Sequence, residues 1–275
     1  MRRDSVWAVG MIRNEADIIA FTVSHLIAEG VNGIILCNHC SDDQTTETLY
    51  ELGQRYQGYL KIVENKDPAY LQDTITTSLA EMAYDRGAEW ILPFDADELF
   101  CPIDNGPTLV EVLSDSRKDI PVCGIQMWSH THTGKDDPNI INPFVRMKYK
   151  HKERNPLDKV VVWWHEGMKI DRGNHRVFDK NGNVIEGAWV GLVLKHFPYR
   201  SPEQFLLRIL SHQSGLKAAG DKTPLDSSIH NRAFIRVYEE GGAEALTELY
   251  KQQFFNQEPD GILDLDPARY RGDLQ

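Results

Sequence analysis

Three acidic side chains follow an apolar run in the segment WILPFDADELF, and their type and spacing could bind a metal ion. Asp95 and Asp97 stand two residues apart, and Glu98 comes next. This spacing suits a hard divalent cation, because Mg²⁺ and Mn²⁺ prefer oxygen ligands and keep positions open for substrate phosphates. In a continuous strand the two aspartates would share one face, and in a turn they could share the metal through water. A solvated acidic turn is the alternative for so short a motif.

The elements that must carry these acids alternate between strands and helices. Apolar runs of strand length occur in VWAVGMIR, VNGIILCN, GYLKIVEN and EWILPFD, and helical patterns separate them. This order predicts an α/β fold of the Rossmann-like type, with a mixed, mostly parallel sheet flanked by helices. Ligands bind beyond the carboxyl ends of such strands. We therefore expect one edge of the sheet to carry Arg13-Asn14-Glu15, Asn38-His39 and Asp95-Ala96-Asp97.

The second half of the chain has a different pattern. Its strand-like runs, separated by turn-rich stretches, are VCGIQMWSH, FVRMKYK, KVVVWWHEGMKI and WVGLVLKHF. A helix is expected from SPEQFLLRIL, with Ser201 as N-cap, Pro202 at the first helical position and Gln204 as the capping-box partner. Further helical patterns cover Ser228 to Glu240 and Ala243 to Gln253. Without a repeat or a linker, the pattern predicts one continuous domain with a helical C-terminal extension.

Composition and charge exclude several classes of function. The chain of 275 residues has a net charge of −11, so nucleic acid is not expected as a partner, because phosphate binding draws on clustered Lys and Arg. Cys37 and Cys40 form a C-x-x-C pair, but a structural zinc needs four ligands, so reduced thiols are expected. No signal peptide or run of transmembrane length is found. We expect a soluble, cytoplasmic protein that contacts a membrane only peripherally.

A phosphatase is the competing enzyme for an apolar strand that ends in D-x-D. Haloacid dehalogenase-like phosphatases use the first Asp of D-x-D-x-T or D-x-D-x-V as nucleophile and the second as acid and base. In this chain Leu99 stands where Thr or Val is expected, so the match fails. The motif also follows the fourth strand here, whereas in that fold it normally follows the first.

Several motifs, in the expected order, resemble those of family-two glycosyltransferases. VGMIRNEADII resembles the opening strand and Asn-Glu pair of that family, and LCNHCSDDQTTE resembles its Ser-x-Asp-x-Thr motif. There Asn38 and His39 replace the usual acidic pair. EWILPFDADELF is nearest to the subgroup with Asp-x-Asp-Glu-Phe, and GNHRV and LKHFPYRSPEQF are also similar to that subgroup. The resemblance runs from Trp7 to Phe205.

This resemblance implies a GT-A fold and a sugar transfer. Residues 1–100 would form the nucleotide-sugar-binding half, 101–200 the acceptor-binding half, and 201–275 the helical extension. The reaction would move a sugar, with inversion, from a nucleotide-diphosphate sugar to a hydroxyl of a carbohydrate or glycoconjugate acceptor. A UDP-sugar is favoured as donor, and polysaccharide or glycoconjugate synthesis as the process. A non-catalytic nucleotide- or carbohydrate-binding relic of the fold is the alternative.

The resemblance also implies a metal site and a set of donor contacts. Asp97, with Asp95, would hold Mn²⁺ or Mg²⁺ against the donor diphosphate. His196 is the expected third ligand, because neutral imidazole is a common metal ligand and suits Mn²⁺, and His175 in GNHRV is a second candidate. The residues expected to contact the nucleotide sugar are Arg13, Glu15, Asn38, Gln72, Asp95, Lys195 and Arg200.

An inverting transferase also needs a base near the acceptor hydroxyl. Glu166 and Asp171 are the candidates, since they lie between the D-x-D motif and His196, where this fold usually supplies its base. Glu166 is preferred, because Trp163 and Trp164 would offer sugar-stacking surface and a drier setting. The alternative for Glu166 is an exposed acid at the end of a strand.

Overall fold

Strands and helices alternate in the N-terminal half of the protein, as the sequence predicts. The structure is a computed structural model that describes residues 4–104, 106–116, 121–220 and 229–274. The elements of this half are β1 (Val6–Ile12), α1 (Ile19–Ala28), β2 (Gly33–His39), α2 (Thr45–Arg55), β3 (Leu60–Asn65), α3 (Gln72–Tyr84) and β4 (Trp90–Pro93). The strands lie side by side in the order β4-β1-β2-β3 and are parallel. Their carboxyl ends therefore meet at one edge.

Both faces of this parallel section are buried. Val9, Ile35 and Ile91 pack on one face, in a cluster that includes residues of α3. The residues that alternate with them, such as Ala8 and Ile34, belong to the cluster on the other face, which includes residues of α1 and α2. This burial explains why the strand sequences are apolar throughout rather than alternating. The predicted α/β class, with helices on both faces of the sheet, is confirmed.

The middle of the chain extends the sheet with strands of mixed direction. Its elements are β5 (Glu98–Pro102), α4 (Leu109–Asp115), β6 (Val122–Thr133), α5 (Pro143–Arg146), β7 (Tyr149–Lys150), β8 (Lys159–Trp163), β9 (Lys169–Ile170), β10 (Val177–Phe178) and β11 (Ala188–His196). β8 pairs antiparallel with both β4 and β6. β11 pairs parallel with β6 and antiparallel with β5, so the extended sheet is mixed.

Two of the strand predictions in this part are wrong. FVRMKYK begins as the short helix α5, because the Asn142 side chain accepts a hydrogen bond from the backbone N–H of Phe144 and Pro143 occupies the first helical turn. KVVVWWHEGMKI is not one strand. β8 ends at Trp163, and a turn that contains Gly167 at a φ of 85° separates it from β9.

The C-terminal segment begins with the helix that the sequence predicts. The side chain of Ser201 accepts a hydrogen bond from the backbone N–H of Gln204, as expected of an N-cap, whereas the Gln204 side chain accepts from the N–H of Arg200. The elements are α6 (Pro202–Ala219), α7 (Ile229–Gln253), β12 (Phe255–Asn256) and β13 (Asp264–Leu265). α7 breaks at Gly242, between the two predicted helical patterns, and Ser228 lies outside the described residues. β12 and β13 pair with β6 and β7, so the extension is not purely helical, and its boundary at residue 200 stays a prediction.

α6 and α7 pack through an aromatic cluster. Phe205 and Ile209 from α6 are buried against Leu246 and Tyr250 from α7. The ring of Phe205 lies 5.3 Å from that of Phe254, the residue directly after α7. Among the described residues, none of the helices combines the length and the apolar composition that crossing a bilayer requires.

The Phe205→Ala substitution is expected to lower the free energy of unfolding by about 3–5 kcal/mol, because it leaves a cavity where a fully buried ring packs. Leu207→Ala on the same helix is the matched control. Its side chain is 42% exposed, so a loss below about 1 kcal/mol is expected. Urea denaturation followed by circular dichroism measures both, and equal losses would contradict this packing.

Candidate functional site

A cleft of about 380 Å³ lies at the carboxyl ends of β1 and β4. This is the edge of the sheet where the sequence predicts a ligand site. The ionisable side chains that line the cleft include Arg13, Glu15, Asp95, Asp97, Lys159, His175, His196, Arg208 and His212. Tyr70 and Gln72, at the start of α3, line it as well. The cleft therefore collects ionisable groups from the segment after β1, from the turn after β4, from β8, from the turn between β9 and β10, from β11 and from α6.

Asp97 is buried between an arginine and a histidine. Its Oδ2 lies 2.8 Å from Nη1 of Arg208 and 3.5 Å from Nε2 of His196. The pairing of β5 with β11 brings the histidine there, because it places His196 opposite Glu98, the residue after the aspartate. Burial by itself raises the pKa of Asp97, but the imidazole and two nearby guanidiniums outweigh it and hold that pKa well below its usual value. Asp97 is therefore a carboxylate at neutral pH.

Asp95 lies in the same turn between β4 and β5 but has different partners. Nζ of Lys159 lies 2.7 Å from Oδ2 of Asp95 and 2.7 Å from Oε1 of Glu98. Nε2 of Gln72 donates to Oδ1 of Asp95 at 2.8 Å. Burial raises the pKa of Glu98 to about 7, although Lys159 opposes that shift. Burial also lowers the pKa of Lys159, but the two carboxylates outweigh it and hold that pKa above its usual value.

Asp97 and His196 are close enough to be two ligands of one divalent cation. Their separation of 3.5 Å matches two ligands that each lie about 2.1 Å from one ion. Within the described part of the chain, no three His, Cys, Asp or Glu side chains form a group that could hold a metal. Asp95 and His175 therefore do not complete a three-residue site with this pair. An ion bound by two side chains keeps its remaining positions for phosphate oxygens and water.

Arg200 is buried and does not line the cleft. Its guanidinium donates to Asp17 at 2.7 and 2.8 Å and to Glu15 at 2.5 Å. Nη1 donates to the backbone oxygen of Phe197 at 3.0 Å. Burial raises the pKa of Glu15 to about 7, and Arg200 acts against this shift. Arg200 thus holds Glu15 in the wall of the cleft and does not itself face a ligand there.

The structure does not bring Asn38 or either predicted base to the cleft. Asn38 is buried, and its Nδ2 donates to the Glu64 carboxylate at 3.2 Å. Glu166 is exposed in the turn after β8. Oδ1 of Asp171 accepts from the backbone N–H of His175 at 2.7 Å, so this carboxylate organises a turn. Trp163 and Trp164 lie outside the cleft lining as well.

Lys195 also lies outside the cleft, although its neighbour His196 lines it. Nζ of Lys195 is 2.6 Å from Oδ1 of Asp266, in a second pocket. Consecutive residues of a strand point to opposite faces of the sheet. If His196 faces the cleft, Lys195 must face away from it, and strand alternation was the signal that could have shown this.

The cleft residues that were not predicted from the sequence include Tyr70, Lys159, Arg208 and His212. Arg208, Ser211 and His212 have the spacing of one face of a helix, and all three line the cleft. This polar face of α6 was visible in the sequence and could have indicated that the helix borders the site. Lys159 is the first residue of β8, and no local pattern marks it as the partner of two acids.

Comparison with known proteins gives structural neighbours only. No protein-family model and no curated protein matches the chain. The mannosyltransferase PcManGT from Pyrobaculum calidifontis, in complex with GDP-Man and Mn²⁺, is 15% identical with a TM-score of 0.44, over 92% of this chain and 76% of that one. TarS 1-349 from S. aureus, in complex with UDP, is 12% identical with a TM-score of 0.39, over 98% and 99%. Similarity this low assigns neither a family nor an activity, so the chemistry of the cleft must carry the functional assignment.

Removing the buried guanidinium in Arg200→Ala is expected to cost about 3–5 kcal/mol of unfolding free energy, because it leaves Glu15 without its buried partner. Arg55→Ala is the matched control. Its ion pair with Asp273 is exposed and screened by solvent, so a much smaller loss of stability is expected. Chemical denaturation of both variants at pH 7.5 measures the difference, and a similar cost for both would contradict the role given to Arg200.

The raised pKa of Glu98 predicts a pH dependence of stability. Its folded value of about 7 lies above the ordinary 4.5, so the folded state binds more protons between these values. The stability from this group is fully present below about pH 4.5 and is lost as the pH rises through 7. Each such proton gives a slope of about 1.4 kcal/mol per pH unit. Glu98→Gln should remove this slope.

Denaturant unfolding of the protein at several values between pH 5 and pH 8 tests this expectation. Glu51→Gln, at an exposed position of α2, is the control and should leave the slope of the unmodified protein in place. If Glu98→Gln retains the same slope as the control, Glu98 does not titrate as its burial requires.

Proposed function

We propose that the protein is a glycosyltransferase that uses a nucleotide-diphosphate sugar and a divalent cation, Mn²⁺ or Mg²⁺. The observation that carries the proposal is the pair of Asp97 and His196, 3.5 Å apart at the ligand edge of the sheet, with Arg208 beside the carboxylate. A diphosphate accepts contacts from both a metal ion and a guanidinium group.

Asp97 and His196 would hold the ion, and the donor diphosphate would supply further oxygen ligands. When bound, the ion acts as a Lewis acid that neutralises the leaving nucleoside diphosphate. The remaining steps belong to side chains of the protein. Arg208 keeps Asp97 ionised, and Lys159 balances Asp95, so the acids of the cleft do not repel an anionic donor as free carboxylates would.

Arg13 is suited to contact the donor directly. Nε and Nη1 of its guanidinium are buried and have no hydrogen-bond partner within the described part of the chain. The side chain lines the cleft, so an incoming phosphate or base can take these donors. Tyr70 and His212 also line it, with rings 5.1 Å apart, and they provide a surface on which a nucleoside base could stack.

The donor is proposed to be a UDP-sugar, and the acceptor a carbohydrate or glycoconjugate hydroxyl attacked with inversion. Both proposals come from the sequence motifs. Asn38, which those motifs place near the nucleoside, lies outside the cleft. Recognition of the base is therefore assigned to Arg13, Glu15 and Tyr70, which line it.

Isothermal titration calorimetry tests the proposed donor site with UDP, GDP, CDP and dTDP, each in Mn²⁺, in Mg²⁺ and in EDTA. One nucleotide is expected to bind in the presence of metal only. Asp97→Asn should weaken that binding at least about tenfold, because it removes a charged ligand of the ion. Asp264→Asn, at an exposed position of β13, is the control and should bind as the unmodified protein does.

Two outcomes would contradict the proposal. If no nucleotide binds in millimolar Mn²⁺, the cleft is not a nucleotide-sugar site. If the pure protein instead hydrolyses a phosphomonoester, and Asp95→Asn abolishes this activity, the acids serve a phosphatase.

A further inference from the structure

His175 stands on a turn that a neighbouring carboxylate holds in place. The turn connects β9 to β10, and Gly173 and Asn174 adopt positive φ angles of 86° and 61° within it. Oδ1 of Asp171 accepts from the backbone N–H groups of His175 at 2.7 Å and of Arg176 at 2.8 Å. The backbone that carries the imidazole is therefore constrained at both ends of the turn.

The same turn is bonded to the acids and amides of the cleft. The backbone N–H of Gly173 donates to Oε1 of Gln72 at 3.0 Å, and Nδ2 of Asn174 lies 3.4 Å from Oδ1 of Asp95. The backbone oxygen of Asn174 also accepts from the N–H of Val160, in β8. These bonds fix the turn against the cleft wall, so His175 has a defined position there.

The hydrogen bonds of His175 determine which ring nitrogen carries the proton. Nδ1 lies 2.8 Å from the backbone oxygen of Asp158. A carbonyl oxygen only accepts, so Nδ1 must be the protonated nitrogen, and in the neutral ring Nε2 keeps its lone pair. Among the described residues Nε2 has no hydrogen-bond partner, and the side chain lines the cleft. A Cβ at position 173 would lie 2.8 Å from Nε2, so the ring packs closely against Gly173 and a larger residue there would crowd this atom.

We propose that Nε2 of His175 accepts the proton of the hydroxyl that attacks the donor sugar. This inference rests on the proposed function. The hydroxyl proton moves to Nε2, and the oxygen forms its bond to the anomeric carbon. The bond from that carbon to the phosphate oxygen breaks, and its electron pair leaves with the nucleoside diphosphate. Without an acceptor, water takes the place of the hydroxyl and the donor is hydrolysed.

The two aspartates of the cleft are already engaged. Asp97 pairs with Arg208 and Asp95 pairs with Lys159. A carboxylate in a strong ion pair is a weak proton acceptor, because protonation would break the pair. The imidazole has no such partner at Nε2.

Burial, with help from Lys159, favours the neutral form of the His175 ring. Burial lowers the pKa of His175, and Lys159 lowers it further. The hydrogen bond to the Asp158 carbonyl and the charges of Asp171 and Asp95 act in the opposite direction but do not overcome it. An imidazole that is neutral at pH 7 can accept a proton during the reaction.

Nuclear magnetic resonance of ¹⁵N-labelled histidine tests the inference without turnover. The signals of His175 are assigned by comparison with His175→Gln. At pH 7 we expect a neutral ring with its proton on Nδ1. A charged ring at this pH, or a proton on Nε2, would overturn the assignment of His175 as the base.

The second test measures the rate at which nucleoside diphosphate is released from UDP-glucose and from GDP-mannose in Mn²⁺. His175→Gln should lower kcat about 10²–10⁴-fold and remove the acidic limb of the pH profile, while nucleotide binding by calorimetry stays within about twofold. His165→Gln, at an exposed position after β8, is the control and should behave as the unmodified protein. Added imidazole should restore part of the rate of His175→Ala.

The two proposals fail in different ways. If His175→Gln retains both nucleotide binding and the full rate, the inference is wrong and the proposed function stands. If the unmodified protein binds no nucleotide in Mn²⁺, the proposed function fails first.

Discussion

The buried carboxylates of the cleft depend on cations from distant parts of the chain. Glu15 and Asp97 belong to the N-terminal half, whereas Arg200 and Arg208 stand just before and within α6. A buried carboxylate without a partner costs several kcal/mol, so these acids are stable only when α6 is docked against them. The ends of the parallel strands and the C-terminal helices must therefore assemble together, and the cleft exists only in the complete fold.

The same ion pairs determine the charge of the cleft before a ligand binds. Lys159 forms ion pairs with both Asp95 and Glu98, so its single positive charge cannot balance two ionised carboxylates. A diphosphate would add further negative charge. A divalent ion between Asp97 and His196 would supply the missing positive charge, which explains how a chain with a net charge of −11 could bind an anionic donor.

Local sequence patterns predicted the strands of the N-terminal half and the start of α6. The apolar runs of the N-terminal half form strands because both faces of the sheet are covered. Ser201 caps α6 as its sequence indicates. The same patterns failed where one residue changes the backbone. Asn142 caps a short helix inside an apparent strand, and Gly167 turns the chain inside another.

By itself, the sequence determined that Arg13, Glu15 and the acids of WILPFDADELF would share one edge, because parallel strands bring their carboxyl ends together. Only the tertiary structure decided which other polar side chains reach that edge. Lys159 lies in the cleft because β8 pairs with β4. Lys195 lies outside the cleft, because on β11 it points to the opposite face of the sheet from His196 and pairs with Asp266. Strand pairing across long stretches of chain decides which cation meets a buried acid, and no local pattern contains that information.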